Sequence, residues 1–324
     1  MTIKRIYPYC KRKIDFTFTQ NKFDFIVKEV PNRTFSNKGN YSILEIKKTY
    51  LSTWDLIKVI SDKLDIEEHK IGYAGLKDKN ATTTQFISIP LTKEHLIKRL
   101  NSKSIEIINI FRDKSKLNIG DLKGNKFTIT LKNINHEDTS DLFQVLAKIQ
   151  KHGIPNYFGF QRFGKDFDLE EAKAIAYGDN FIQNKKLSHM LTSAYQSYFF
   201  NNWLSERVTK SKNVGSNKLV EIEGDIFSKT SKYITGLLVG RNIIRAKSKA
   251  RTLEEKYDDE YVQLKGMRRD AWIDVANLQS KYSKENKTLV LDFTLPKSSY
   301  ATVLIENLAM KNFSINETAK HYKT

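Results

Sequence analysis

The chain has 324 residues, 40% hydrophobic and 28% charged, with 14 Gly and 5 Pro; this balance suits a sizeable core and excludes wholesale disorder and Pro/Gly-rich architectures. Its 55 Lys and Arg against 37 Asp and Glu leave a net +18, which points to polyanionic partners, nucleic acid before membrane surface. One cysteine, Cys10, excludes an internal disulfide and a thiolate metal cluster, and no apolar run approaches a membrane span.

In chain order, the first 150 residues alternate strand-like and helix-like segments. Residues 23–30 (FDFIVKEV) and 42–48 (SILEIKK) predict strands separated by a polar turn. Over 53–65 the spacing of Leu56, Ile57, Ile60 and Leu64 predicts a helix, with Ser52 or Thr53 as cap. A turn-rich stretch, GYAGLKDKNATT, leads into QFISIP, where Gln85, Ile87 and Ile89 share one strand face; a further helix is predicted from Thr92. Residues 104–111 and 126–134 read as strands, the second alternating Phe127, Ile129 and Leu131 with Thr128, Thr130 and Lys132. Residues 139–152 predict a helix with Leu142, Phe143, Leu146 and Ile149 on one stripe and Gly153 ending it.

Past Pro155 helical patterns dominate, at LEEAKAIAY and over about 188–208, followed by an exposed loop at 211–218. The basic run 241–251 precedes the acidic run 254–260, and a helix laced with charge pairs is favoured there over an RNA contact. Strand patterning returns at 289–295, then a helix from about Ser299 to Asn312. The pattern predicts an α+β unit built from both ends of the chain with a more helical segment inserted between them.

The chemistry is narrowed by exclusion. His69, His95, His136, His152, His189 and His321 show no metal-ligand spacing, and neither a phosphate loop nor a GxSxG elbow occurs, so no metal or cofactor is expected. What remains is Asp78, set between Lys77 and Lys79 in a Gly-containing loop before a strand. Alone it reads first as a turn aspartate bonding its own backbone. The same loop also suits a carboxylate held ionised by flanking ammonium groups, able to act as nucleophile or base.

The segment GYAGLKDKNATTTQ closely resembles the active-site signature of the TruD family of tRNA pseudouridine synthases, with Asp78 at the position of its essential aspartate. The resemblance recurs in the family's order. It includes Asp24-Phe25-Ile26-Val27-Lys28-Glu29, Lys116-Leu117 through Gly124-Asn125-Lys126-Phe127, and the run from Pro155 to Gly164, PNYFGFQRFG. Ser193 to Ser197, Gly266-Met267-Arg268-Arg269, and Leu295-Pro296 with Ser299 to Thr302 complete seven ordered matches.

The resemblance implies a V-shaped two-domain protein. A pseudouridine synthase core with a mixed, mostly antiparallel sheet would span 1–156 and 286–324, with an inserted α/β domain at 157–285. It implies isomerisation of uridine to pseudouridine in tRNA, at uridine 13 of the D arm, without a cofactor; the same chemistry on another RNA and a tRNA-folding factor are the competing readings, and a cytoplasmic location and a monomer are the default expectations. Asp78 would be the catalytic carboxylate. Phe127 would face the target base and Asn125 its edge, Glu29 would be an acid near the site, and Lys77 and Lys79 would bind phosphate or keep Asp78 ionised. Lys116, Arg162, Arg268 and Arg269 are candidate RNA contacts. Two departures stand out: Thr19 and Lys22 occupy the positions of the lysine and proline in the family's KxxPxDF, and Ser298 replaces a usual glycine.

Overall fold

The computed structural model describes residues 5–164 and 167–314; His321 and the first four residues of the basic start lie outside the described residues. The chain forms two compact units, one of Phe16–Ile134 and Ala276–Ser298, the other of Met1–Asp15, Asn135–Val275 and Ser299–Thr324. Of the segment expected as an insertion, 157–275 belongs to the second unit and 276–285 to the sheet of the first.

The first unit begins with β1 (Thr17–Phe18), β2 (Phe25–Pro31) and β3 (Tyr41–Thr49). Helix α1 (Thr53–Leu64) follows. Ser52 caps it, accepting from Asp55 N while the Asp55 carboxylate accepts from Ser52 N, so two otherwise orphaned donors are satisfied reciprocally. Its apolar stripe, Leu56, Ile57, Ile60 and Leu64, packs on Leu44, Ile46, Ile87 and Ile89 of the sheet. Then come β4 (Gly72–Tyr73), β5 (Thr82–Pro90), β6 (Ile105–Asp113) and β7 (Leu122–Lys132). The helix predicted from Thr92 is a run of 3-10 turns over Leu91–Leu100. Its buried residues, Ile97 and Leu100, are three apart, which suits the three-residue period better than an α-helical stripe.

In the second unit, α2 (Thr139–His152) ends at Gly153 as its sequence predicts. Gly153 has φ +74°, and a Cβ there would lie 2.1 Å from Ile273 O, so glycine is required. Phe143 is exposed rather than on the buried stripe, which runs through Leu142, Val145, Leu146 and Ile149; one residue beyond Leu142 is about 100° round the helix. β8 (Ile154–Pro155), α3 (Leu169–Tyr177), α4 (Lys185–Asn213), β9 (Thr235–Leu238), α5 (Ser248–Glu254), β10 (Met267–Asp270) and β11 (Trp272–Ile273) follow. A core of Ala172, Ile175, Tyr195, Leu237, Val239 and Val262 joins α3 and α4 to β9. In the basic run, Arg245 and Arg251 pair with Asp258 at 2.6 and 2.7 Å, so the charge-pair reading describes both arginines.

The chain then returns to the first unit with β12 (Ala276–Ser283) and β13 (Thr288–Pro296), and α6 (Ala301–Ala309) closes the second. The sheet order is β12-β13-β7-β2-β5-β3-β6, with β1 also on β7 and β4 on β5. Among the described residues, β2 and β5 are the one parallel pair of this sheet and its other pairs are antiparallel, so the sheet is mixed and mostly antiparallel, as predicted. The return strand near the C-terminus lies beside β7, Phe293 opposite Phe127, so both ends of the sequence do build one sheet.

Candidate active site

Register places a row of side chains across one face of this sheet. Lys48 of β3 is opposite Thr83 of β5, Thr83 is beside Val27 of β2, Val27 is opposite Phe127 of β7, and Phe127 is opposite Phe293 of β13. Directly opposite residues share a face, so this row is continuous. Glu29 and Asn125 are the next opposed pair along β2 and β7. Gly124 lets β13 approach closely there: a Cβ would lie 2.1 Å from Leu295 O.

The Asp78 loop, between β4 and β5, is pinned at several points. Thr53 Oγ1 accepts from Lys77 N at 2.9 Å and donates to Gln85 Oε1 at 3.1 Å, tying the loop to the start of α1 and to β5. The Lys77 ammonium forms a buried ion pair with Glu29 Oε2, while Glu29 Oε1 accepts from Phe86 N at 3.4 Å. Lys48, 1% exposed, donates from Nζ to Leu51 O and, at 3.4 Å, to the main-chain carbonyl of Asp78. Among the described residues no carboxylate lies within ion-pair distance of Lys48.

The electrostatics follow from this packing. By surface area Asp78 is exposed, yet protein surrounds its carboxyl group closely enough that burial pushes its pKa up, against the pull of the Lys48 and Lys77 charges. Burial lowers the Lys48 ammonium to about 8, opposed by Asp78 and Asp55 and reinforced by Lys77. Among the described residues, buried polar atoms on this face without a hydrogen-bond partner include Thr83 Oγ1, Gln85 Nε2 and Asn125 Oδ1. Such atoms are costly to a fold and call for an explanation. An anion beside a face with free donors and an acceptor suits nucleophilic or base chemistry on a hydrogen-bonding ring.

The structure thus brings together Asp78, Lys77 and Glu29, with Asn125 facing Glu29. Phe127 is on the same sheet face, 6% exposed, stacked on Phe293 (5.4 Å, 24°) and tilted towards Phe25 at 6.1 Å. Lys79 is exposed, 3.9 Å from Asp55. Lys116 lines a recess of about 550 Å³ with Trp54 and Tyr73, and its ammonium donates to His69 O. The Lys22 ammonium lies over the Phe23 and Tyr50 rings.

The three arginines belong to the second unit. Arg268 bonds Glu254 and Thr235. Arg269 donates to Asn156 O at 3.1 Å and to Asn156 Oδ1 at 2.7 Å, and lies 3.9 Å from the Phe158 ring. Arg162 lies over the same ring at 5.0 Å. Asn201 holds Phe158 through both main-chain groups at 2.9 Å, and Thr302 donates to Gln161. Matched motifs from 155–164, 266–269 and 299–302 therefore brace one another within that unit.

Sequence reasoning missed Lys48, Thr53 and Gln85. The signal for Lys48 was present: in SILEIKK it shares the phase of Leu44 and Ile46, so alternation buries a lysine.

A family profile described as tRNA pseudouridine synthase D (TruD) matches residues 4–180. A protein of Wolinella succinogenes named tRNA pseudouridine synthase D is 35% identical, over 97% of this chain and 100% of the relative. Relatives of the same name from Nitratiruptor sp. (35%, covering 91% and 95%) and Sulfurimonas denitrificans (34%, covering 95% and 99%) are similar over almost their full length. The solved structure of a Methanosarcina mazei protein titled tRNA pseudouridine synthase D (TruD) superposes with a TM-score of 0.72 over 95% of this chain and 96% of that one; at 24% identity it establishes the shared fold.

Proposed function

The chain belongs to the TruD family of tRNA pseudouridine synthases, and from that premise we propose that it isomerises uridine 13 in the D arm of tRNA to pseudouridine, with Asp78 as the catalytic carboxylate. The reaction breaks the C1′–N1 bond and forms C1′–C5; a proton leaves C5 and one is gained at N1. It balances without oxidant, reductant or phosphoryl donor.

The observation that supports this reading is the Asp78 loop itself, whose main-chain carbonyl accepts from the buried Lys48 ammonium at 3.4 Å at the margin of a sheet face with unpartnered polar atoms. The two nearby cations favour the ionised form that nucleophilic or base chemistry needs. Asn125 is assigned to the uracil edge through its free Oδ1, and Phe127 to the apolar floor beside the base. Glu29 occupies Lys77, leaving Lys48 as the unshared cation beside Asp78. A uridine paired or stacked in the RNA must first be extruded, at a cost of a few kcal/mol, which phosphate contacts from a +18 protein offset.

The test is an unmodified tRNA transcript incubated with purified protein, followed by chemical mapping of pseudouridine. A single new pseudouridine at position 13 is expected. Tight tRNA binding with no pseudouridine at any position would overturn the isomerase reading in favour of an RNA-folding role, and product elsewhere would overturn the position.

A further inference from the structure

Beside the catalytic loop, on residues with no part in the reading above, two aromatic rings stand in solvent. Phe23 is 72% exposed and Tyr50 41% exposed. The Lys22 ammonium lies 4.8 Å from the Phe23 ring centroid and 5.5 Å from that of Tyr50, so one cation bridges two rings that are remote in sequence. Both are held in place. Asn21 Oδ1 accepts from Phe23 N and Asp24 N, each at 2.8 Å, fixing the turn that presents the ring. Tyr50 has φ +55°, a left-handed conformation unfavourable for a bulky side chain. Strain of this kind at an exposed ring next to a catalytic loop points to function.

The rings are also tied to the site. Thr82 Oγ1 donates to Lys22 O at 2.7 Å, and Thr82 lies four residues after Asp78, at most about 14 Å of extended chain. On the other side, Tyr50 is two residues from Lys48, whose ammonium touches the Asp78 carbonyl. We propose that Phe23 and Tyr50, with Lys22 between them, form a stacking platform for an unpaired nucleotide of the substrate RNA that flanks the target uridine. The rings take the base, because every base has a π-face, and the ammonium takes its phosphate. The occupant is RNA on the charge complementarity of a +18 chain and on the closeness of the rings to Asp78. The platform rests on the isomerase reading for its substrate, and its lysine, Lys22, stands where the resemblance expects proline.

The experiment uses the full chain, an unmodified tRNA transcript and heparin, a polyanion without bases. The variants are Phe23→Ala, Phe23→Tyr and Tyr50→Asn, the last because Asn accepts a left-handed backbone and so removes the ring without adding strain. Phe23→Ala and Tyr50→Asn are each expected to raise the tRNA dissociation constant roughly 5- to 150-fold, the range that stacking one base supplies. Heparin affinity and the single-turnover rate at saturating enzyme should stay within about twofold of wild type. Phe23→Tyr should retain tRNA affinity, and Tyr50→Asn should melt no lower than wild type. Ring variants that bind tRNA within twofold of wild type, or that lose heparin affinity in parallel, overturn the platform. The binding comparison stands whether or not product forms: wild type that binds tRNA without isomerising it counts against the isomerase reading alone, whereas wild type that does not bind tRNA overturns both.

Discussion

Lys48 places its ammonium 3.4 Å from the main-chain carbonyl of Asp78, 30 residues along the chain, and does so from the buried face of β3. Burial costs that lysine its ordinary basicity, bringing it to about 8, while the Asp78 carboxyl is pushed up by the same desolvation. The charge on each group opposes that shift in the other, and with Asp78 as the proposed catalytic carboxylate the active form has Asp78 ionised beside a protonated Lys48. The single-turnover rate is expected to fall on the acid side as Asp78 protonates, and on the alkaline side as pH rises through about 8. Lys48→Arg, which keeps its charge at any accessible pH, should remove the alkaline fall; a wild-type profile flat from pH 7 to 10 would refute the role.

Asp78→Asn should abolish pseudouridine formation without weakening the fold. The swap is nearly isosteric and removes only the charge. Because the folded-state pKa of Asp78 is raised, ionisation costs stability as pH rises past the unfolded value. The variant's melting temperature at pH 7 is therefore expected to equal or exceed that of wild type, with tRNA affinity little changed. A marked drop in melting temperature would mean that Asp78 is chiefly a turn residue.

Much of this arrangement was legible from local pattern. Leu56, Ile57, Ile60 and Leu64 announce α1, and the alternation of Phe127, Ile129 and Leu131 announces β7. Asp78 stood out because its loop matched a chemical signature. What stayed hidden depends on long-range pairing. β12 is an edge strand, exposed at Ala276, Asn277, Gln279, Ser280 and Lys281, so it carries no apolar alternation to read. That Glu29 would occupy Lys77 was equally unreadable: they lie 48 residues apart and meet only because β2 lies beside β5.

Glu29→Gln should therefore destabilise the protein by about 3–5 kcal/mol, since it strands the Lys77 ammonium in a buried site. Adding Lys77→Met should recover much of that loss, because an apolar group of similar length needs no partner there. Urea unfolding of the four members of the cycle measures both effects. Equal stability of wild type and Glu29→Gln would show that the pair contributes nothing to the fold.

Phe127→Ala is expected to cost about 3–5 kcal/mol of stability, because the ring is buried between Phe293 and Phe25. If Phe127 also lies beneath the base, the folded fraction of the variant will turn over more slowly than wild type at saturating tRNA. Denaturant titration and single-turnover rates, measured on the same preparation, separate the contributions. Unchanged stability would show that the ring is not part of the packed core.

tRNA affinity should fall steeply with salt, since the log–log slope is about −0.7 to −0.9 per neutralised phosphate by analogy with other nucleic acids. The contribution of each lysine depends on whether its ammonium is already engaged. Lys79 is exposed and only loosely associated with Asp55 at 3.9 Å, so Lys79→Gln should flatten the slope by about one phosphate contact. Lys77 is closed off by Glu29, and Lys77→Gln should leave the slope unchanged even where it lowers stability. Lys116, with its ammonium on His69 O beside the Trp54–Tyr73 recess, should have an effect between these two. A slope that Lys77→Gln flattens and Lys79→Gln leaves intact would mean that RNA binding breaks the Glu29–Lys77 pair and takes the lysine for phosphate.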